Sequence, residues 1–543
     1  MPRSNPSAYT FADALTTDIT RVYVNSIKSA VVDIDANGTY HTAYGGTPAV
    51  SVAASNAPAT LKARADYVCT GTADDVTINA QIAAMATAGG GKIILLGDFT
   101  IVNPIRARSY VEVDGGSPQY TSITAVNAYS PSNLTLGQGS GRYVVSSLQS
   151  DAVTGFTIRN ILIDANEPNA TVGLSPSVFS HALGLYAVSN LTIDNVHVRR
   201  AIRYSIYSEG GTNVRVANCD VLTGQGAATV GGVAREQQDG IHLADVQDAT
   251  IHHNRVVTAG LNNVGDDGIV VRSGTNATFS CRDVVISDNR VSADQTAIKL
   301  VGASTSAQDV RGVTITGNVS FDGYGGFVNL DAYAGYTGKF RNVVVAGNEG
   351  YNFLGPDTHL LWISSGGVAE NFDTVTFANN IIDGVAQRGA FAIGGVWGKN
   401  LAITGNQLRN ARVDRGIMVG DTGKPVVGFV ISDNIVDMTL SVTDNNVGIA
   451  VRRSSRGAVT GNTVTGTKAN ALTDTSPGIN LAGDATNFVT DVTVTGNGVY
   501  DCTYGVRETG ASDDFNIISD NAVRTCTTTV GKLGVNTITV DNV

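Results

Sequence analysis

Charge is scarce in this chain. Lys, Arg, Asp and Glu together make up 15% of its 543 residues, against about 25% in an ordinary soluble protein. The 36 basic residues are outnumbered by 47 acidic ones, the net charge is −11, and no run of Lys and Arg occurs anywhere. That removes the electrostatic footprint of nucleic-acid or anionic-membrane binding, so neither nucleic acid nor membrane is an expected partner. Long hydrophobic runs are also missing. No window approaches the roughly 18 apolar residues of a spanning segment, and the opening stretch from Met1 to Thr10 is polar, with Pro2 and Pro6. Neither a spanning helix nor a signal peptide is expected, and the chain reads as one made in the cytoplasm. The five cysteines (Cys69, Cys219, Cys281, Cys502 and Cys526) are too few and too scattered for a disulfide framework, and no C-x-x-C suggests zinc or redox work.

Glycine, by contrast, is abundant at 62 residues, and with Thr, Val and Asn it points to an all-β chain with many turns. A short strand ending in Asn recurs as TIRNILI (Asn160), TIDNVHV (Asn195), RVANCDV (Asn218), TIHHNRV (Asn254), VISDNRV (Asn289), TITGNVS (Asn318) and VVAGNEG (Asn348). It continues as TFANNII (Asn380), AITGNQL (Asn406), VISDNIV (Asn434), AVTGNTV (Asn462), TVTGNGV (Asn497) and IISDNAV (Asn521). The spacing averages about 30 residues, with intervals from 23 to 36, as constant strands joined by variable loops would give. Between the asparagines falls a second strand: GIHL at 240, GIVV at 268, GIMV at 416, GIAV at 448 and GINL at 478.

Units of this length with strands and no helix cannot pair within themselves. They must wind and stack as parallel coils about 4.8 Å apart, with equivalent positions in register. The pattern predicts an all-β fold, a right-handed single-stranded parallel β-helix of about 13 coils. The repeated Asn becomes an interior ladder of side-chain amides. Cys502 and Cys526 each follow a ladder Asn by five residues and stack on adjacent coils, as a disulfide or as two thiols. Upstream, Asp74-Asp75 followed by VTINAQIAAMATAGGGK reads as an N-capped amphipathic helix over about 75–89, with Ile78, Ile82 and Met85 on one face and its end at Gly89. It would cap the open end of the solenoid. GGGK at 89–92 lacks the Ser/Thr of a phosphate loop and reads as a helix end. Residues 1–64 show no repeat and read as a small attachment or arm module, leaving 65–543 to the β-helix.

Acidic residues being scarce, two neighbouring coils stand out: QQDGIHL carries Asp239 and VGDDGIVV carries Asp266 and Asp267. Aligning Gly240 with Gly268 puts Asp239 and Asp267 in one column. Three carboxylates sharing a patch cannot all ionise cheaply, and an acid beside a base is what glycosidic-bond hydrolysis requires. In the same strands Ile241 and Leu243 point inward, so the residue between them points outward. Coil by coil that outward column reads Tyr186, Tyr207, His242, Val270, Lys299, Asn329 and Trp362, with Glu209, Arg235, Glu236, Arg272, Asp331 and His359 around it. Aromatic rings interleaved with polar groups suit a polysaccharide, whose apolar faces stack while its hydroxyls hydrogen-bond. The loops 223–238 and 258–267 are expected to wall the cleft, and His252-His253 to face solvent.

The stretch ADYVCTGTADDVTINAQIAAMATAGGGKIILLGDFTI, followed by the stacked repeats, resembles the pectate-lyase-like superfamily of right-handed β-helix proteins, found among polysaccharide lyases, glycoside hydrolases and phage tailspikes. The likeness covers roughly 65–543. It implies a polysaccharide-degrading enzyme, and the phage members imply an N-terminal attachment module, a homotrimer, and either virion association or release by a non-classical route. QQDGIHL and VGDDGIVV look like the N-T-D and D-D motifs of glycoside hydrolase family 28, which implies Asp266 as general acid and Asp239 with Asp267 as the base pair that activates water. The chain departs from that family: its G-H-G histidine should fall near Gln295 or Thr296, and its R-I-K is matched only by Ile298-Lys299. A carboxylate-based glycosidase other than a pectin hydrolase is the expectation, with no cofactor and no metal. The alternatives are a lyase, in which the aspartates bind Ca²⁺ and Arg272 or Lys299 abstracts a proton, an intramolecular fructosyl transferase of this fold, and a non-catalytic glycan-binding adhesin.

Overall fold

The computed structural model describes residues 48–543 apart from short loop segments, the longest being 170–179, 259–265, 386–391 and 467–475, together with three short strands in residues 1–47. Those three, Thr20–Val22, Val32–Ile34 and Tyr40–Thr42, pair antiparallel among themselves.

Alternating Val, Ile and Thr give each coil three short strands. In one coil these are Asp239–Ala244, Gln247–His252 and Arg255–Val257; in the next, Ile269–Arg272, Arg282–Ser287 and Arg290–Ser292. Every strand pairs in parallel with its counterparts in the coils before and after, so that Ile241, Ile269, Ile298 and Val328 form one column. The first strands of the coils build a 16-stranded sheet, and the second and third strands form the other faces of a right-handed parallel β-helix. One continuous apolar core runs through the stack from Val52 to Ile518.

The asparagines sit at the corner between the second and third strands. From Asn254 through Asn289, Asn318, Asn348, Asn380, Asn406, Asn434, Asn462 and Asn497 to Asn521, each Nδ2 donates to Oδ1 of the next at 2.8–3.0 Å. The same Oδ1 accepts the preceding rung's backbone N–H, as in Asn348 N to Asn380 Oδ1 at 3.1 Å. The residue before each rung has φ between 54° and 67°, which explains why Gly, Asp, Asn or His stands there. Asn542 closes the series by accepting from Asn521.

The first three expected rungs depart from the pattern. Asn160 and Asn195 are themselves left-handed (φ 55° and 51°) and run back to a carboxylate, Nδ2 of Asn195 donating to Oδ1 of Asn160 at 2.9 Å and Nδ2 of Asn160 to Oδ1 of Asp114 at 3.0 Å. Asn218 is exposed, and Cys219 takes the interior slot, its N–H donating to Asn254 Oδ1 at 2.9 Å. The register Asp220 to Arg255 shifts RVANCDV by one residue relative to the other coils. None of the five cysteines is in a disulfide, and Cys502 and Cys526 occupy equivalent positions of adjacent coils, two residues before the paired Tyr504 and Thr528.

The helix spans Asp74–Thr87 and buries Ile78 and Ile82, but neither aspartate caps it. Asp74 instead accepts the backbone N–H groups of Gly71 and Thr100, and Asp75 that of Val102, so both carboxylates latch the helix onto the first coil. The stack begins before residue 65: Ala49–Ala53 already pairs in parallel with Gly91–Ile101.

The ladder sets a stability expectation. In Asn380→Ala, Asn348 loses its acceptor and the Val345 carbonyl its donor, leaving buried polar groups unpaired at about 1–3 kcal/mol each. Asn380→Ala should lower the denaturation midpoint strongly, whereas Val430→Thr, at an exposed strand position, should stay within about 0.5 kcal/mol of wild type. Equal effects in chemical denaturation would refute the ladder argument.

Candidate functional site

Loops of variable length join the third strand of one coil to the first strand of the next. They therefore deliver their last residues to the edge of the 16-stranded sheet, where Asp239, Asp266 and Asp267 stand. Carboxylate oxygens of the three lie within 4.8 Å of one another. This is the one grouping of three carboxylate, imidazole or thiol ligands among the described residues. Asp239 and Asp267 share a column, since Ile241 pairs with Ile269 and Gly240 N–H donates to the Asp267 carbonyl at 3.1 Å.

All three carboxylates are buried, and their environments differ. Asp239 Oδ2 meets Nδ1 of His242 at 2.6 Å. Asp267 Oδ2 meets the Lys299 ammonium at 3.0 Å, and its Oδ1 accepts the Thr296 N–H at 3.0 Å. Asp266 Oδ1 is buried with no hydrogen-bond partner, as is Nε2 of His242. Burial, reinforced by the charges of Asp267 and Asp239, pushes Asp266 up to about 8. Burial also raises Asp267, to about 6, with Lys299 holding it down. At neutral pH the cluster thus carries a protonated Asp266 beside an Asp267 kept ionised by Lys299.

Turn-capping aspartates in the same chain look different. Asp513 accepts backbone N–H groups from Val489, Gly483 and Gly510, and Asp74 accepts from Gly71 and Thr100, so both oxygens of each are committed to the backbone. The trio receives only the Thr296 N–H and a long 3.4 Å contact from Asp267 N to Asp239 Oδ1. These carboxylates are not consumed by turn chemistry, and burying them without such donors is costly. Three carboxylates at this range also form a donor set for a hard cation, but the Lys299 ammonium already lies on Asp267.

The strand register places the other expected residues. Tyr207, His242, Val270, Lys299, Asn329 and Trp362 form one column. Tyr186 does not belong to it. It pairs with Glu209, because Gly184 is the partner of Tyr207, and Arg272 and Asp331 continue that second column. Glu209 is buried and accepts the Tyr207 hydroxyl at 2.5 Å. Asp331 lies 3.7 Å from Lys299, and His359 stacks on Trp362 with centroids 4.1 Å apart. Arg235 and Glu236 lie outside the described residues, as do most of the two loops expected to wall the cleft. His252 and His253 contact each other at the surface, away from this sheet.

The outward face at the trio is not an open groove, since every residue of Asp239–Ala244 is buried. Arg272, Asn329, Asp331, His359 and Trp362 are half-exposed, so the site opens toward the C-terminal coils. On its other side the sequence reading missed a stack of rings in the aspartate column. Tyr143 stacks on His181 at 4.7 Å, His181 on Tyr204 at 5.8 Å, and Tyr204 meets His242 edge-on at 4.7 Å. Aligning Ile206 with Ile241, as for the glycines, puts Tyr204 beside Asp239. The signal lies three residues before the Tyr207–His242 column.

No family model matches the sequence, and no curated protein matches it. Solved structures do match in shape. The family 28 exopolygalacturonase of Yersinia enterocolitica superposes with a TM-score of 0.51 at 12% identity, over 80% of this chain and 82% of that one. A mutant tailspike protein of E. coli bacteriophage HK620, in complex with a pentasaccharide, gives 0.54 at 14% identity over 79% and 75%. Likeness at these identities is one of fold, and the fold is the right-handed parallel β-helix.

Proposed function

We propose that this chain is a polysaccharide-degrading glycoside hydrolase that cleaves within long glycan chains, with the three aspartates as its acid–base machinery. The observation that carries the reading is the trio's asymmetry: three buried carboxylates from adjacent coils, one paired with Lys299, one with His242, and one with a bare oxygen. Asp266, protonated at neutral pH, donates its proton to the glycosidic oxygen as the bond to the anomeric carbon breaks. Asp267, ionised beside Lys299, takes a proton from the water that attacks that carbon, with charge building as an oxocarbenium ion between them. The two aspartates then exchange protons with solvent to restore the resting state. His242 is a positioning residue that fixes the Asp239 carboxylate. The half-exposed Trp362 and His359 rings offer stacking surfaces for sugar rings, and Asn329, Asp331 and Arg272 hydrogen-bonding groups. The shared fold of the exopolygalacturonase and the pentasaccharide-bound tailspike supports the glycan substrate class.

The deciding experiment incubates wild type, Asp266→Asn and Asp267→Asn with a panel of neutral and acidic bacterial and plant polysaccharides, with and without a chelator, reading reducing ends and unsaturated-product absorbance. Hydrolysis predicts new reducing ends without absorbance, indifference to chelator, and a loss of about 10²–10⁴-fold in each variant. Chelator-sensitive absorbance would instead make the trio Ca²⁺ ligands of a lyase, and silence on every glycan would leave a binding protein. The pH profile of kcat/KM should rise through about 6 as Asp267 ionises and fall above about 8 as Asp266 loses its proton. Lys299→Met should move the rising limb to higher pH, a change that a purely structural lysine would not produce.

Stability gives an independent readout. The folded pKa of Asp266 lies above its unfolded value, so its contribution to stability is fully present below pH about 4 and is lost as pH rises through about 8. Asp266→Asn removes that dependence. The inactive variant should match wild type near pH 4 and exceed it by about 1–3 kcal/mol near pH 8. A thermal midpoint for the variant that is unchanged or lower at pH 8 would count against a strained acid at this position.

A further inference from the structure

The sheet that carries the trio has a second polar feature, seven strands nearer the C-terminus and so about 34 Å away at about 4.8 Å per coil. There the outward column continues through Met418, Ala450, Asn480 and Arg507. A cavity of about 210 Å³ opens on this face, lined among others by Arg415, Arg452, Arg507, Asn480, Ala450 and Pro477. Among the described residues, no acidic side chain lines it. Arg452 is held by Asp421 at 2.7 Å, and Arg507 lies over the Tyr504 ring at 4.8 Å, so two of the guanidiniums have fixed positions. Arg415 is largely buried, and burial together with the Arg452 charge disfavours its own charge, with Asp414 and Asp421 acting in the opposite sense. Three guanidiniums meet at this cavity, and with Asp421 paired to Arg452 they outnumber the carboxylates that act on them, Asp414 and Asp421, so that an anion would be favoured there.

The rest of the lining narrows the anion's class. Asn480 Oδ1 has no hydrogen-bond donor in the structure, and a hydroxyl would supply one. Ala450 and Pro477 present a small apolar surface. Carboxylate, hydroxyls and an apolar ring face occur together in an acidic sugar, and guanidinium recognises carboxylate in bidentate fashion. We propose that the Arg415–Arg452–Arg507 cavity is a remote subsite for an acidic sugar of the polysaccharide, binding a carboxylate far from the bond that is cleaved. The subsite deepens the hydrolase reading and rests on it for the identity of the ligand. A polymer lying along the coil axis would meet both places on the same sheet.

The test measures equilibrium binding of a size-defined oligogalacturonate and of its carboxyl-reduced counterpart to the full chain at low and high salt. The proteins are wild type, Arg507→Gln, Arg507→Lys and the double variant Arg452→Gln/Arg507→Gln, each checked for an unchanged thermal midpoint. Wild type should prefer the acidic oligosaccharide and lose affinity with salt. The double variant should lose at least tenfold in affinity for the acid and nothing for the reduced form, and Arg507→Lys should fall between because it keeps charge without the fork. Should the double variant fail the midpoint check, Arg507→Gln alone decides. Equal binding of the two oligosaccharides by wild type, or undiminished acid binding by the variants, overturns the subsite. Reducing-end assays on the same preparations separate the two readings. Cleavage absent with selective acid binding intact defeats hydrolysis and keeps the subsite, and cleavage present without that selectivity defeats the subsite alone.

Discussion

Parallel, in-register hydrogen bonding between coils is the constraint from which the rest of this molecule follows. A coil has no partner within itself, so each of its strands must pair with the same strand of the coil above and below, as Ile241, Ile269 and Ile298 do. A slip of one residue would turn every inward side chain outward. The asparagine ladder guards against that slip. Each amide donates to the next rung and accepts the preceding rung's backbone N–H, and the left-handed residue before it sets the corner at which this can happen. Insertions are thereby kept out of the corner between the second and third strands and fall in the loops at the other two corners.

This confinement also explains where chemistry can be assembled. Residues about 28 positions apart, such as Asp239 and Asp267, become neighbours through the stack, and at these two coils the start of the first strand brings carboxylates to the sheet's edge. Elsewhere in the chain, buried aspartates are neutralised by backbone N–H groups, as Asp513 and Asp74 show. At the trio the backbone supplies almost none. The charge is managed instead by one lysine, one imidazole and one retained proton, an arrangement that costs stability and leaves protons available for transfer.

Much of this was legible in the sequence because a repeat makes alignment an internal operation. The Gly-Ile strands fixed the register of Asp239 with Asp267 and the column from Tyr207 to Trp362, and the Asn corners fixed the ladder from Asn254 onward. The same operation failed where the period itself changes. Asn218 stands one residue off the interior slot that Cys219 fills, and Tyr186 was placed two residues from its true partner, because the intervals there swing between 23 and 36 residues and the Gly-Ile signature is absent. The pairing of Asp74 and Asp75 with the backbone of the first coil was not legible, since an aspartate before a helix carries the same local signal whether it caps the helix or latches it to something else. Nor was the burial of the trio, which depends on what lies over the strands rather than on the strands themselves.

The distribution of charge along one face gives the fold a direction. Near its middle coils the sheet concentrates carboxylates and aromatic rings, and toward its C-terminal coils it concentrates guanidiniums. A coil axis has no such polarity of its own, because every coil repeats the same backbone. Side chains at equivalent positions of one column supply it: His242 and Lys299 at the trio, Asn329 and Trp362 beyond it, Asn480 and Arg507 further on. A linear polymer seated on that column would meet a different chemical environment at each coil. Its orientation and register relative to the aspartates would then be set by contacts several coils from the bond that reacts, where they can contribute to positioning without crowding the acid and the base.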